Sequence, residues 1–199
     1  MNSAIQTIPD TLVYEMQNGE PVYYAGYRDY LNGIKPIEEI RTSNLIQSMI
    51  ISRLMFMLQL NLSDEYEVLT NELGIQFEKK AWRAADMAIV KTADIEQVET
   101  KNKYLRFAPE IVIEIDTKAE LSDLKNPLNY YQEKTDELLA FGIKKVVWIF
   151  SETEKVMVAR KGEKWEISNW TEDIEIMEGV VVNIANLLKN KNRETKNKH

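Results

Sequence analysis

The sequence contains no cysteine and a single histidine, and both shortages restrict the chemistry available to it. Without cysteine there are no disulfides, no thiolate zinc sites and no cysteine nucleophiles. Because the one histidine is the last residue, His199, Ser-His-Asp catalysis and histidine-rich metal sites are nearly excluded. Carboxylates and lysines remain as the residues that can carry chemistry.

Long hydrophobic runs and a secretory leader are also missing. No window holds about 18 consecutive apolar residues, so no membrane-spanning helix is predicted. Residues 1–6 lack a basic start followed by an apolar stretch, and we therefore expect a cytoplasmic protein. With 44% hydrophobic and 29% charged residues, the 199-residue chain is expected to form one domain over 1–188. A basic tail over 189–199 follows, which we expect to be disordered without a partner.

The net charge of −7 disfavours contact with a phosphate backbone. A metal-dependent nuclease, however, carries acids at its centre and needs only a local basic surface. The chain offers three candidate basic clusters, although such runs are usually solvated faces. They are Lys79, Lys80 and Arg83; Lys101, Lys103 and Arg106; and the tail.

Two carboxylates stand inside runs that otherwise read as β-strands. Asp86 lies in the Val- and Ile-rich run 83–90, and Glu114 lies in the run 109–116. An acid within such a run loses hydration unless a cation, a proton or a metal ion compensates it. A lone strand acid is usually exposed or salt-bridged, but two on neighbouring strands suggest a divalent-metal site.

The order of predicted elements gives an α/β architecture. Asn18-Gly19 favours a type I′ hairpin between short strands at 13–16 and 21–24. Two principal helices follow, one from an N-cap at Thr42 or Ser43 to about Leu60 and one from Asn126-Pro127 to Gly142. The predicted strands are 66–70, 74–80, the Asp86 run, the Glu114 run and 145–150, then a hairpin over 155–167 and a strand at 178–183 leading into a small helix; 92–108 is predicted as a loop.

Four motifs in this order resemble the bacterial "putative restriction endonuclease" family within the PD-(D/E)xK nuclease superfamily. They are the segments 14–20, 85–90, 109–115 and 142–149, and the resemblance runs from about residue 11 to 188. It implies a restriction-endonuclease-like fold, with a mixed central sheet flanked by two principal helices and preceded by an N-terminal hairpin. It also implies a homodimeric, Mg²⁺- or Mn²⁺-dependent endonuclease that hydrolyses phosphodiester bonds in DNA.

Carried over residue by residue, the resemblance makes Asp86 and Glu114 the two acids and Lys134 the catalytic lysine. Many superfamily members have their lysine two residues after the second acid, where this chain has Asp116. The resembled family takes it from the following helix, and Lys134 stands eight residues before Gly142 as that pattern requires.

The implied metal ligands are the carboxylates of Asp86 and Glu114 and the backbone carbonyl of Ile115. If strand alternation points Asp116 the same way as Glu114, it would be a third acid or a second metal ligand, or its charge would spoil phosphate binding. Glu15 could approach the same cleft as an accessory acid, although a solvent-facing glutamate is the more common case in a hairpin.

Two alternatives stay open beside the endonuclease. The first is a nuclease fold that has lost activity and binds nucleic acid or protein. Asp116 and the acidic net charge support this alternative. The second is a dimerising scaffold that uses the apolar region 146–150 or the first long helix as its interface.

Overall fold

The computed structural model describes residues 8–99, 101 and 103–189, so the predictions on the tail beyond Lys189 lie outside the described residues. Six α-helices, two short 3-10 helices (Asp10–Leu12 and Leu121–Asp123) and ten strands are assigned within these ranges. The helices are α1 (Tyr27–Leu31), α2 (Ile37–Arg41), α3 (Leu45–Asn61), α4 (Thr92–Ile95), α5 (Pro127–Phe141) and α6 (Ile184–Leu188). The strands are β1 (Val13–Gln17), β2 (Glu20–Tyr23), β3 (Tyr66–Glu78), β4 (Ala81–Lys91), β5 (Ile111–Ile115), β6 (Lys145–Phe150), β7 (Lys155–Arg160), β8 (Glu166–Asn169), β9 (Ile174–Met177) and β10 (Val180–Val182).

A mixed sheet with the order β2-β1-β4-β5-β6-β7-β8 forms the centre of the molecule, and β3 also pairs with β4. The order strand, helix, strand over the Glu114 run, the second long helix and 145–150 predicts a βαβ crossover, and the structure confirms it, since β5 and β6 are parallel and are connected through α5. The other pairings in this sheet are antiparallel. One hydrophobic core includes Tyr130 and Leu138 of α5, and a second includes Ile50 and Leu54 of α3. The two principal helices therefore contribute to separate cores around one sheet.

The predicted type I′ hairpin is confirmed at the N-terminal edge of the sheet. Asn18 and Gly19 both have positive φ, 48° and 86°, as this turn requires, and Gln17 pairs with Glu20 across it. Strand β1 then pairs with β4, which brings the hairpin beside the strand that carries Asp86.

The first long helix begins one or two residues later than predicted. Its N-cap is Asn44, whose side chain accepts a hydrogen bond of 2.8 Å from the backbone N–H of Gln47, so Thr42 and Ser43 were wrong. Asparagine is at least as good an N-cap as serine or threonine, and only the backbone decides among neighbouring candidates.

The strands predicted at 66–70 and 74–80 are one continuous strand, β3, with an irregularity between them. Asn71 and Glu72 have positive φ, 78° and 53°, and the register with β4 shifts at this point. The segment predicted to separate two strands is thus a local bulge within one strand. Gly74 serves close packing here, since a Cβ at this position would lie 2.6 Å from Cδ1 of Tyr104.

Short elements account for most of the other differences. The helices α1 and α2 and the strand β9 were not predicted, and α4 opens the segment expected to be a loop. Elements of four or five residues carry too few periodic positions to be detected by pattern. Among the described residues, none of the helices combines the length and the apolar composition that a membrane crossing requires.

Helix α5 begins and ends as predicted, but its buried face differs. Asn126 caps it, Pro127 follows, and Gly142 ends it with φ of 120°. Helical spacing in the sequence predicts an inner face of Leu128, Tyr131, Thr135, Leu138 and Leu139. Leu128 is however 72% exposed, whereas Tyr130 and Lys134 are buried. The apolar stripe predicted for this helix therefore begins later, and a lysine lies within the buried face.

Replacing Gly142 by alanine is expected to lower the free energy of unfolding by about 1–3 kcal/mol, measured by urea denaturation. The positive φ disfavours a side chain, and the new Cβ would lie 3.3 Å from Cβ of Ala108. Gly162→Ala is the matched control, because Gly162 also has positive φ but a Cβ added there would meet no heavy atom within 4 Å. An effect no larger than that of the control would show that contact with Ala108 costs nothing.

Candidate active site

Asp86 and Glu114 lie next to each other on adjacent antiparallel strands. The ladder between β4 and β5 ends with Met87 opposite Ile113, and the two acids are the next residues on their strands. Asp86 is 6% exposed and Glu114 is 1% exposed, so both carboxyl groups are removed from bulk water. The sheet therefore brings together the two acids that the sequence singled out.

The carboxylate of Asp86 accepts hydrogen bonds from a backbone and from a side chain. The N–H of Ile115 donates to it at 2.7 Å, and Nε2 of Gln47 lies 3.2 and 3.3 Å from its two oxygens. Burial raises the pKa of Asp86, and the hydrogen bond from Ile115 opposes that shift. These hydrogen bonds thus fix the orientation of the Asp86 carboxylate, although burial disfavours its charged form.

Gln47 is a site residue that the sequence reasoning missed. Its Nε2 also donates to the carbonyl oxygen of Ile115 at 2.9 Å, so one amide group contacts both Asp86 and the backbone beside Glu114. A signal was present in the sequence, because Gln47 falls on the same helical stripe as the buried Ile50 and Leu54. A polar residue on an apolar stripe needs a buried partner.

Lys134 is fully buried and joins Glu114 to Glu15. Its Nζ lies 2.6 Å from Oε1 of Glu15 and 3.1 Å from Oε1 of Glu114, and it donates to the carbonyl oxygen of Ala84 at 2.8 Å. Burial lowers the pKa of Lys134, but the charges of Glu114 and Glu15 outweigh that effect and raise it. The ammonium group therefore stays protonated at neutral pH.

Glu15 is completely buried, so the solvent-facing alternative was wrong. Its carboxylate accepts hydrogen bonds from Lys134, from the Arg83 guanidinium at 3.0 Å, from the Ala84 N–H at 3.0 Å and from the Tyr130 hydroxyl at 2.9 Å. Burial alone would raise the pKa of Glu15, but Lys134 and Arg83 together lower it. Glu15 is therefore the ionised centre of a buried network.

Arg83 belongs to this network and not to a basic surface. Its side chain is 0% exposed and pairs with Glu15 and, through Nε at 2.8 Å, with Glu137 of α5. The candidate cluster of Lys79, Lys80 and Arg83 is therefore wrong for Arg83, because the two lysines lie in the exposed turn before β4 whereas Arg83 lies within β4 and is buried.

Glu114 is the least satisfied of the buried acids. Its Oε1 lies within ion-pair distance of Lys134, but no donor among the described residues approaches that oxygen with hydrogen-bond geometry. Burial raises the pKa of Glu114 to about 8, and the charge of Lys134 only partly opposes this. An acid in this position is stabilised by a proton or by an added cation.

The side chain of Asp116 has different partners from that of Glu114. It has φ of 56° immediately after β5, and its carboxylate accepts hydrogen bonds from the N–H of Ser151 at 2.7 Å and from its hydroxyl at 2.5 Å. Within the described ranges, no three Asp, Glu or His side chains gather as a metal-ligand cluster. Any ion here would therefore depend on two carboxylates and on backbone or amide oxygens.

A cleft of about 550 Å³ opens from the surface onto Asp86, and Glu114 does not line it. Arg41 and Lys118 line it together with Glu72, and Lys118 pairs with Glu72 and donates to the carbonyl oxygen of Arg41. Solvent and small ions can approach Asp86 by this route, whereas Lys134 lies deeper.

No protein-family model matches this chain, and no curated protein matches it. A solved structure with a similar fold is that of a "putative nuclease belonging to DUF820" from Anabaena variabilis ATCC 29413, with a TM-score of 0.59. The two chains are 16% identical, and the match covers 73% of this chain and 82% of the other. At that identity the likeness concerns the fold alone. The predicted α/β fold class is thus confirmed, and this fold is shared with that structure.

Proposed function

We propose that this protein is a divalent-metal-dependent endonuclease that hydrolyses phosphodiester bonds in DNA, with Asp86, Glu114 and Lys134 as its catalytic residues. The observation that carries the proposal is their convergence. Adjacent strands bring the two acids together, and Nζ of Lys134 lies 3.1 Å from Glu114. Two acids beside a lysine are suited to holding a cation and an anionic phosphate together.

The oxygen atoms present fit a hard cation such as Mg²⁺ or Mn²⁺, which prefers carboxylate and carbonyl ligands. Asp86, Glu114 and the carbonyl of Ile115 would hold the ion. The amide of Gln47 supports this choice of ligands. Its partially positive NH₂ group already contacts the oxygens of Asp86 and the carbonyl oxygen of Ile115. The Glu114 oxygen that lacks a hydrogen-bond donor is the further acceptor that a cation would satisfy.

When bound, such an ion supplies an activated water and charge stabilisation at the phosphorus. Lys134 acts as an electrostatic group, since its raised pKa keeps the proton on Nζ and prevents it from serving as a base. Glu15 and the carbonyl of Ala84 hold the ammonium group in place by hydrogen bonds of 2.6 and 2.8 Å. Glu15 is thus a positioning residue in this proposal.

DNA as substrate and a homodimeric state are part of the same proposal. The similar solved structure is described as a nuclease candidate, which supports a nucleic acid substrate. A single chain presents one set of acids, and cutting both strands of a duplex calls for two such sites, which a two-fold dimer provides.

One observation favours a second candidate, a catalytically inactive module with this fold. Lys134 is 0% exposed and already engages Glu15, Glu114 and Ala84, so a phosphate must displace protein contacts to reach it. A protein that only binds nucleic acid or another protein would keep such a network for stability.

Calorimetric titration with Mg²⁺ and Mn²⁺ tests the proposal, followed by cleavage assays on plasmid and linear DNA with each ion and with EDTA. We expect metal binding and metal-dependent cleavage by the wild type, and loss of both in Asp86→Asn. Asparagine keeps an acceptor for the Ile115 N–H, so the variant is expected to fold. If no metal binding that depends on the Asp86 carboxylate is found, the endonuclease proposal is wrong and the inactive module remains.

Asp116→Asn is expected to leave metal affinity within about twofold of the wild type by calorimetry. Asparagine tolerates positive φ, can still accept from the Ser151 N–H and can donate to the Ser151 hydroxyl oxygen, so the substitution removes the charge and keeps both contacts. A tenfold loss of affinity would instead make Asp116 a metal ligand, one of the roles that the sequence left open.

A further inference from the structure

We propose that a groove beside the candidate active site binds a single-stranded segment of the nucleic acid, an inference that rests on the nuclease function proposed above. The groove has a volume of about 760 Å³. We call it the basic groove, and its defining residues are Arg41, Lys80, Trp82, Lys103 and Tyr104.

The charge of the basic groove is opposite to that of the whole protein. Arg41, Lys80 and Lys103 are exposed cations that line it, whereas the chain has a net charge of −7. Two acids also line it, Asp10 and Glu72, but Glu72 is paired with Lys118. The groove is thus a local positive region, which is what contact with phosphates requires.

Two aromatic rings give the groove a surface for bases. The centroids of Trp82 and Tyr104 lie 5.5 Å apart with the rings inclined at 46°, and both residues are partly exposed. Nζ of Lys103 lies 5.3 Å from the centroid of Tyr104. Cations interleaved with aromatic rings are typical of grooves that bind single strands, because the rings stack on bases and the cations contact the backbone.

The ring of Tyr104 is held in place by the strand beneath it. The N–H of Leu105 donates to the carbonyl of Gly74 at 2.8 Å, and the N–H of Gln76 donates to the carbonyl of Leu105 at 2.8 Å. Only glycine at position 74 leaves room for the ring, since a Cβ would lie 2.6 Å from it. The platform is therefore formed before any ligand binds.

The basic groove continues into the candidate active site. Arg41 and Glu72 line both the groove and the cleft that opens on Asp86. Trp82 precedes Asp86 by four residues on β4, a separation of at most about 14 Å of extended backbone. About four stacked nucleotides at 3.4 Å each would span that distance. Stacking on inclined rings needs unpaired bases, so a single strand suits the groove better than a duplex.

Fluorescence anisotropy with a labelled oligothymidylate of about 12 nucleotides, in EDTA, tests binding separately from cleavage. We expect the wild type to bind the single strand more tightly than a duplex of equal length. Lys80→Gln/Lys103→Gln is expected to weaken binding about tenfold or more at 0.1 M salt and to reduce the salt dependence. Lys161→Gln/Lys164→Gln removes the same charge from exposed lysines of the β7–β8 turn and is expected to change little.

Tyr104→Leu adds a test of stacking, with an expected loss of about tenfold in affinity. Three results would each overturn the proposed role of the groove: equal weakening of oligonucleotide binding by both lysine double variants, tighter binding of the duplex, or no binding by the wild type. The two proposals fail separately. Metal-dependent cleavage of duplex DNA without single-strand binding would refute only the groove, whereas single-strand binding that depends on Lys80 and Lys103 without any cleavage would refute only the nuclease.

Discussion

Glu114→Gln is expected to lower metal-dependent DNA cleavage by about 10³-fold, as measured by initial rates at saturating Mg²⁺. The substitution removes the charge of one of the two carboxylates proposed to hold the ion. A glutamine amide is a much weaker ligand for a hard cation than a carboxylate. The loss would fall on the chemical step because a phosphoryl group gains charge where the ion is held.

The same variant is expected to keep the fold of the wild type. Burial opposes the ionisation of Glu114 in the metal-free protein and raises its pKa to about 8, so loss of the charge costs little. Lys134 keeps its ion pair with Glu15, and glutamine has nearly the same shape as glutamate. Urea denaturation in EDTA at pH 7 should therefore give a free energy of unfolding within about 1 kcal/mol of the wild type. Unchanged cleavage in a folded Glu114→Gln protein would remove Glu114 from the catalytic residues.

Glu15→Gln is expected to lower the free energy of unfolding by about 3–5 kcal/mol at pH 7, because it leaves buried cations without their common carboxylate. Lys134 is 0% exposed and would keep only Glu114 as an acidic partner, and Arg83 would keep only Glu137. Urea denaturation measures the change. Glu20→Gln is a matched control, since Glu20 stands exposed in the same hairpin.

The pH dependence of stability gives a second measure of Glu15. Lys134 and Arg83 hold its pKa in the folded protein below the ordinary value of 4.5. The unfolded chain therefore binds the proton first, and the stabilisation is complete above pH 4.5 and is lost as the pH falls through the folded pKa. Unfolding curves of the wild type between pH 6 and 3 should show this loss, and Glu15→Gln should lack its share.

An equal acid dependence in the wild type and in Glu15→Gln would contradict the buried network. So would a change in unfolding free energy no larger than that of Glu20→Gln. Both results would mean that Glu15 is hydrated in solution, which is the alternative that the sequence favoured and the structure overturned.

The elements predicted best are those whose signals lie within a few residues. Asn18-Gly19 has the two positive φ values of a type I′ turn, and Asn126-Pro127 and Gly142 delimit α5. The apolar run of β6 pairs with β5 in parallel because one helix connects them. Each of these signals is a property of the local backbone, which tertiary contacts had no reason to change.

The elements predicted worst depend on contacts with distant segments. The bulge at Asn71 and Glu72 shifts the register but does not end β3, because β4 pairs with it on both sides of the bulge. The sequence predicts that a new strand starts at Gly74, whereas this glycine makes room for the ring of Tyr104. A glycine has the same appearance in the sequence whether it serves a turn or close packing.

The sequence by itself determined the α/β class, the order of the main strands and helices, and the choice of Asp86 and Glu114 as candidates, and its resemblance to a family added Lys134. Only the tertiary structure decided how these charges are compensated. Glu15 meets Arg83 and Lys134 across 68 and 119 residues of chain, and Gln47 reaches Asp86 across 39. Periodicity reports which face of an element is apolar, but the pairing of buried charges depends on the distance between elements, which no local pattern contains.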